Sequence, residues 1–245
     1  MSIADKLITV AENVDKVYEA GKKAEYDAFW NGMRANFDTS GFSYGFCGRG
    51  WDDTTFNPPF DIKSPSKVAA SYMFCNAGIT ELTNILTAQK NNEEDTRKIL
   101  DVSGAATLAN MFAYCGNLKS VPEITIGQNC SSINQMFYNC KQLERIDKLT
   151  FYDGFSSKVI SVFANCGNLT DITIGGAIAC NNLDFSPCTK LSADSLKSII
   201  EALSTTSTGL TITLPSTAES NYDAVYGGGA WSALIATKSN WSIVT

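Results

Sequence analysis

The sequence predicts an α/β repeat solenoid, with a long helix before the array and an α/β cap after it. Three observations lead there. One eight-residue phrase occurs three times: Met111-Phe112-Ala113-Tyr114-Cys115-Gly116-Asn117-Leu118, then Met136-Phe137-Tyr138-Asn139-Cys140-Lys141-Gln142-Leu143, then Val162-Phe163-Ala164-Asn165-Cys166-Gly167-Asn168-Leu169. The register holds beyond the phrase. Phe112, Cys115, Leu118 and Val121 recur as Phe137, Cys140, Leu143 and Ile146, and again as Phe163, Cys166, Leu169 and Ile172, at steps of 25 and then 26 residues. A fixed period of this size marks units that bury their apolar faces against one another. Second, short β-prone runs lie between the phrases: Glu123-Ile124-Thr125-Ile126, Leu149-Thr150-Phe151 and Asp171-Ile172-Thr173-Ile174. Their alternation fits strands stacked into a narrow sheet. Third, both ends depart from the pattern, as the terminal units of a solenoid must in order to close its core against water.

Taken in order, Ser2 to Phe37 reads as one long helix, with Ser2 and Asp5 forming a capping-box pattern. Leu7, Val10, Val14, Val17, Gly21, Ala24 and Ala28 alternate steps of three and four. That is a heptad seam, and it suits a coiled coil with partner chains. Packing of the same stripe onto the chain's own body is the alternative. Residues 38–60 are rich in aromatics and glycine, and Pro58-Pro59 forbids helix there. They are expected to cap the open end of the repeat core, with an aromatic sugar-binding surface as the other reading. The repeats should occupy residues 61–191. A degenerate copy, Met73-Phe74-Cys75-Asn76-Ala77-Gly78-Ile79, precedes the full ones, and a shortened copy follows at Phe185, Cys188 and Leu191. The insertion Gln89 to Asp95 reads as a polar surface turn, because its carboxylates lack the alternating spacing that wraps calcium. Residues 192–245 form the cap: a helix over 192–203, a strand at Thr211 to Leu214, and helical stretches on both sides of Gly227-Gly228-Gly229. The glycine triplet lacks the flanking residues of a phosphate loop and reads as a turn or hinge.

Composition narrows the function. The net charge is −6, with 19 basic and 25 acidic residues scattered along the chain. Nucleic acid binding calls for a basic face, so no nucleic-acid partner is expected. No apolar run is long enough for a membrane span, and the first residues lack the profile of a secretory signal. Histidine is absent, which removes the commonest general base, the commonest zinc ligand and every Ser-His or Cys-His pair. None of the eight cysteines forms a C-x-x-C pair, so neither a metal site nor a cofactor is expected. The cysteine column of the repeat reads as packing by a small apolar thiol, and disulfides are not expected without export.

With these residues in view, the chain resembles the BspA-type leucine-rich repeats, whose units carry a Phe-x-x-Cys-x-x-Leu-x-x-Ile/Val core like that at residues 112–121, 137–146 and 163–172. The likeness covers roughly residues 60–215 and departs at Ala77 and at the shortened last copy. It implies a right-handed solenoid with a ladder of short strands on one side, used for binding and without shared catalytic residues. The ends carry a second resemblance. Ala11 to Lys23, Tyr26 to Trp30, Gly48 to Phe60 and Ile235 to Trp241 are similar to stretches of virion-associated, tail-fibre-like proteins in phages of Gram-positive gut bacteria.

The functional expectation is therefore a virion component: a tail-fibre, receptor-binding or decoration subunit. It would be a homo-oligomer, a trimer by preference, contacting other virion proteins and a host surface protein or glycan. A bacterial cell-surface adhesin or interaction module is the alternative. A tail-associated glycan hydrolase is third, since it needs two carboxylates across one cleft and the sequence offers only candidates such as Asp52 and Asp53. The protein is expected not to be an enzyme. The non-core phrase positions Tyr114, Tyr138, Asn139 and Asn165 are the candidate binding surface.

Overall fold

The computed structural model describes residues 62–63, 66–82, 100–157 and 159–245, together with Ser43, residues 45–48 and five residues nearer the N-terminus. The chain divides into two units, Met1–Ser40 and Gly41–Thr245. In the first, Gly21, Ala24, Glu25, Ala28 and Asn31 are helical and exposed. The seam residues Leu7, Val10, Val14 and Val17 lie outside the described residues, as do Asp52, Asp53 and the insertion Gln89 to Asp95.

The second unit is a parallel solenoid, and the phrase shows why the chain coils. Cys115 N–H donates to Phe112 O and Leu118 N–H to Cys115 O, both at 3.1 Å; the same two bonds recur in the next two copies. Two successive i→i+3 turns bring every third residue to one face. Phe, Cys and Leu therefore all point inward, and each is at most 2 % exposed in all three copies. Strands follow each phrase. β1 (Ile62–Lys63) pairs in parallel with β2 (Leu100–Asp101). β3 (Ser120–Val121) and β4 (Ile124–Ile126) both pair with β5 (Arg145–Phe151), which pairs with β6 (Asp171–Gly176). Pro122 separates β3 from β4, lacking the N–H that a ladder needs.

The repeat period is the register of this sheet. Val121 sits opposite Ile146, and Ile146 opposite Ile172. The 26-residue step is reset within the strand, because a bulge between Ile146 and Leu149 brings Leu149 opposite Ile174. Successive coils approach closely. A Cβ added at Gly176, whose φ is +68°, would lie 1.8 Å from Phe151 O.

One column runs from residue 46 to residue 185. The rings of Phe46, Phe74, Phe112, Phe137, Phe163 and Phe185 stack in sequence, with centroids 5.3, 5.2, 5.4, 5.6 and 4.6 Å apart and planes within 20°. Phe46 supplies the first ring from inside the segment read as an aromatic cap. It stacks because Phe46 N–H bonds Met73 O at 2.7 Å, repeating the bond from Phe112 N–H to Met136 O at 2.8 Å. A second column, not apparent from the phrase, is Ala105, Cys130, Phe155 and Cys180, all buried at steps of 25 residues.

The far end is closed by α1 (Ala193–Glu201), β7 (Leu183–Asp184), β8 (Leu210–Thr213), α2 (Ala218–Tyr226), α3 (Ala230–Ala236) and β9 (Trp241–Val244), the strands forming a parallel sheet in the order β7-β8-β9. Ser192 caps α1. The helix buries Leu196, Ile199 and Ile200 and presents serines to the sheet: Ser195 Oγ accepts from Ile172 N–H and Ser198 Oγ from Ile174 N–H, each at 2.9 Å. Two backbone donors of β6 are thereby satisfied by side chains instead of by another strand. The glycine triplet is a turn between α2 and α3. Asp223 accepts from the N–H groups of Gly229 and Trp231 at 2.9 and 2.7 Å, satisfying donors at the start of α3.

The ladder's contribution is measurable at its centre. Burying one phenylalanine stabilises by about 1.5–3 kcal/mol, and removing the ring also leaves a cavity between two neighbours. Phe137→Ala is expected to cost about 3–5 kcal/mol of unfolding free energy in a denaturant titration. A loss below about 1 kcal/mol would show that the ring stack is incidental.

Candidate functional site

The buried interior carries little that reacts. Each phrase cysteine donates its thiol to the phenylalanine carbonyl of the preceding coil: Cys115 Sγ to Phe74 O at 2.9 Å, Cys140 Sγ to Phe112 O at 3.0 Å and Cys166 Sγ to Phe137 O at 3.0 Å. Burial pushes the Cys115, Cys166 and Cys180 thiols up to about 12, and it raises Cys130, Cys140 and Cys188 as well. The thiolate is the nucleophile and the metal ligand, so these groups are inert at neutral pH. Among the described residues no group of three or more His, Cys, Asp or Glu is placed to hold a metal ion.

Chemistry that can meet a partner lies on the turns. The second residue after each of the four ladder phenylalanines from Phe74 to Phe163 is left-handed: Asn76 at φ 57°, Tyr114 at 64°, Asn139 at 63° and Asn165 at 64°. A second left-handed column precedes the phenylalanine by two, at Tyr72, Asn110, Gln135 and Ser161. Asparagine tolerates this region because its short side chain bonds locally. Tyrosine has no such compensation. Tyr114 nonetheless holds the conformation with 51 % of its surface exposed, against half-buried Tyr138, whose ring lies 5.3 Å away and edge-on at 71°. Backbone geometry holds Tyr114 there, since its N–H donates to Tyr138 O at 2.8 Å.

Three of the four expected surface residues, Tyr114, Asn139 and Asn165, thus share one column. Tyr138 stands one position earlier in its coil and joins them through its ring. Asn76 extends the column. Its signal in the sequence was its place two residues after Phe74, masked by the altered spacing of that copy. The column is continuous because adjacent coils bond in register, with Asn76 N–H to Ala113 O and Asn139 N–H to Ala164 O both at 2.8 Å. What results is a shallow face of amides with one exposed aromatic pair.

The other feature with exposed chemistry is on the C-terminal cap, an open depression lined by Ile235, Lys238, Trp241 and Ile243 among others. Lys238 is not available to a ligand. Its Nζ donates to Glu201 O at 2.9 Å and Leu203 O at 2.6 Å, placing a cation at the C-terminus of α1, where the helix dipole favours it. Trp241 Nε1 donates to Ser204 O at 2.9 Å, and Asn240 Nδ2 to Ser204 O at 2.9 Å and Ser207 O at 2.6 Å.

No helix among the described residues is long and apolar enough to cross a membrane. Comparison of the chain with protein-family models, curated proteins and solved structures finds no match.

The buried thiols make alkaline stability a test of the interior. A thiol whose folded value lies above its ordinary value of 9.0 keeps its proton in the native state after the unfolded chain has lost it. Its stabilisation is complete below about pH 9 and falls as pH rises towards 12. Each such thiol contributes about 1.4 kcal/mol per pH unit in that window. Urea midpoints are expected to stay level from pH 7 to 8.5 and then drop steeply. Cys166→Ala should lower that slope by one thiol's share; an unchanged slope would contradict the burial of Cys166.

Proposed function

We propose that this chain is a non-enzymatic binding and structural protein, with a BspA-like leucine-rich-repeat solenoid whose turn face holds a glycan. The observation that carries this reading is Tyr114, a half-exposed aromatic kept in a left-handed conformation that its column otherwise gives to asparagine. Backbone strain of this kind costs about 1 kcal/mol or more and concentrates where a side chain must be aimed. An aromatic face stacks on the apolar face of a sugar ring, and the amides of Asn76, Asn139 and Asn165 match its hydroxyls. An extended, shallow face suits a polymer better than a small metabolite, which prefers a deep pocket. The chain's lack of histidine also favours binding over nucleophilic catalysis.

The biological setting we propose is a phage virion, with the chain as a tail-fibre, receptor-binding or decoration subunit. The similarity of its terminal stretches to virion-associated proteins supports this. So does the heptad seam from Leu7 to Ala28, which fits the trimeric assembly of fibres. The solenoid would then present its turn face to a host surface while the N-terminal helix joins copies.

Two measurements separate this reading from its rivals. Tyr114→Asn gives the column its usual residue, so it is expected to raise stability by about 1 kcal/mol. The same change should weaken binding to intact host cells or an immobilised cell-wall glycan at least about tenfold, the typical effect of losing an aromatic anchor. Unchanged binding would remove Tyr114 from recognition, and binding to virion parts but not cells would make the protein a decoration subunit. For assembly, light scattering of the full chain should give a trimer that Val10→Asp combined with Val14→Asp reduces to a monomer. A monomeric wild-type protein would end the seam argument.

A further inference from the structure

Six of the eight cysteines are buried, while Cys47 and Cys75 are half-exposed. They are also neighbours on adjacent coils. Phe46 N–H bonds Met73 O at 2.7 Å and Gly48 N–H bonds Cys75 O at 2.9 Å. These two bonds bracket Cys47 and set it in register with Cys75, just as Phe46 lies in register with Phe74 through rings 5.3 Å apart. The backbone register thus sets the two side chains side by side, and the nearness of Cys47 helps to raise the Cys75 thiol. Both residues directly follow a ladder phenylalanine, a position filled in later coils by Ala113, Tyr138, Ala164 and Ser186. Cys75 therefore has a thiol beside it on one coil and a methyl group on the other.

We propose that Cys47 and Cys75 form a redox-closed staple, oxidised to a disulfide by small-molecule disulfides of the glutathione type, which locks the first ladder coil onto the second. Adjacent parallel segments of a sheet or solenoid lie about 4.8 Å apart, within the Cα separation that a disulfide spans. The pair closes a loop containing the aromatic segment 49–61 and strand β1. Phe46 is the first ring of the described ladder, and terminal coils of a solenoid open more readily than central ones.

The chemistry balances by thiol–disulfide exchange. The Cys47 thiolate attacks one sulfur of the external disulfide. The Cys47 Sγ–S bond forms, the external S–S bond breaks, and the departing thiolate takes a proton. Cys75, deprotonated to solvent, then attacks Cys47 Sγ, forming the Cys47–Cys75 bond and releasing the second small thiol. The protein gives up two protons and two electrons, and the external disulfide takes them up to become two thiols. Cys75 acts second because burial, followed by the adjacent Cys47, pushes its thiol up to about 11, which leaves little thiolate at neutral pH. Cys115 does not compete, because its thiol is buried and bonded to Phe74 O at 2.9 Å. In a reducing compartment the pair stays a dithiol, and outside it the staple closes.

The test uses the full chain incubated with oxidised glutathione under native conditions, then acid-quenched, alkylated after denaturation and mapped by mass spectrometry. The expected product has lost two hydrogens, joins the peptides of Cys47 and Cys75, and carries alkyl groups on the other six cysteines. Cys75→Ala should instead stop at a glutathione adduct on Cys47. Limited proteolysis of the oxidised wild type should slow at least about tenfold between residues 47 and 75, because local opening of that coil is restricted. No loss of hydrogens, a bridge to Cys115, or an oxidised protein cut at the unoxidised rate would each overturn the proposal.

Discussion

A phenylalanine ring can lie flat on its neighbour only if successive coils follow the same backbone path. That constraint governs the rest of the solenoid. In-register stacking places each phrase thiol under a carbonyl of the coil before it, so the cysteine at that column is a donor as well as a filler. It forces repeated left-handed residues at the turns, because the chain must reverse at the same places in every coil. It also leaves no room for a Cβ where coils touch, as at Gly176. Ring stacking adds about 0.5–1.5 kcal/mol per pair beyond burial, but its larger effect is to penalise any coil whose length is not absorbed outside the column. The steps between ladder rings vary from 22 to 38 residues, and the extra residue of the 26-residue step is taken up in the bulge of β5.

A stack of identical coils has two open ends, and the described structure closes the C-terminal one with polar groups as much as with apolar ones. Ser195 and Ser198 take the place of the next strand at β6. Lys238, Asn240 and Trp241 then hold the carbonyls at the end of α1 and in the loop beyond it. Burial pulls the Lys238 ammonium below its ordinary value, and the charge of Glu201 works against that shift. Exposed ion pairs such as Arg145–Asp147 at 3.0 Å add little by comparison, since water screens them.

The same columns that carry packing also carry what the surface offers. Position two after the phenylalanine is a turn residue in every full copy, and only at Tyr114 does it become an exposed aromatic. Position one after it is small or aromatic in later coils, and only at the first two is it a pair of thiols. The proposed recognition and redox sites are thus departures from the column average, where the backbone is held by its neighbours. A regular scaffold makes such departures visible, because each site has several copies to serve as its control.

Much of this was legible in the sequence. The period of 25 and 26 residues is the strand register itself, since one turn of a parallel coil brings residue i beside residue i + 25 or i + 26. The three-residue offsets within the phrase put Phe, Cys and Leu on one inward face, the apolar face of residues 192–203 places α1 within two residues of its ends, and the glycine triplet marks the turn between α2 and α3. Three things depended on the folded chain. The spacing from Phe46 to Phe74 matches no other step, so Phe46 joins the ladder only through the backbone bonds that bring the coils together. The strain at Tyr114 is a matter of φ, which residue identity does not reveal. The roles of Ser195, Ser198 and Lys238, like the meeting of Cys47 with Cys75, arise between residues more than twenty positions apart. Sequence pattern records which face a residue turns inward; which distant group it then meets is decided by how the coils stack.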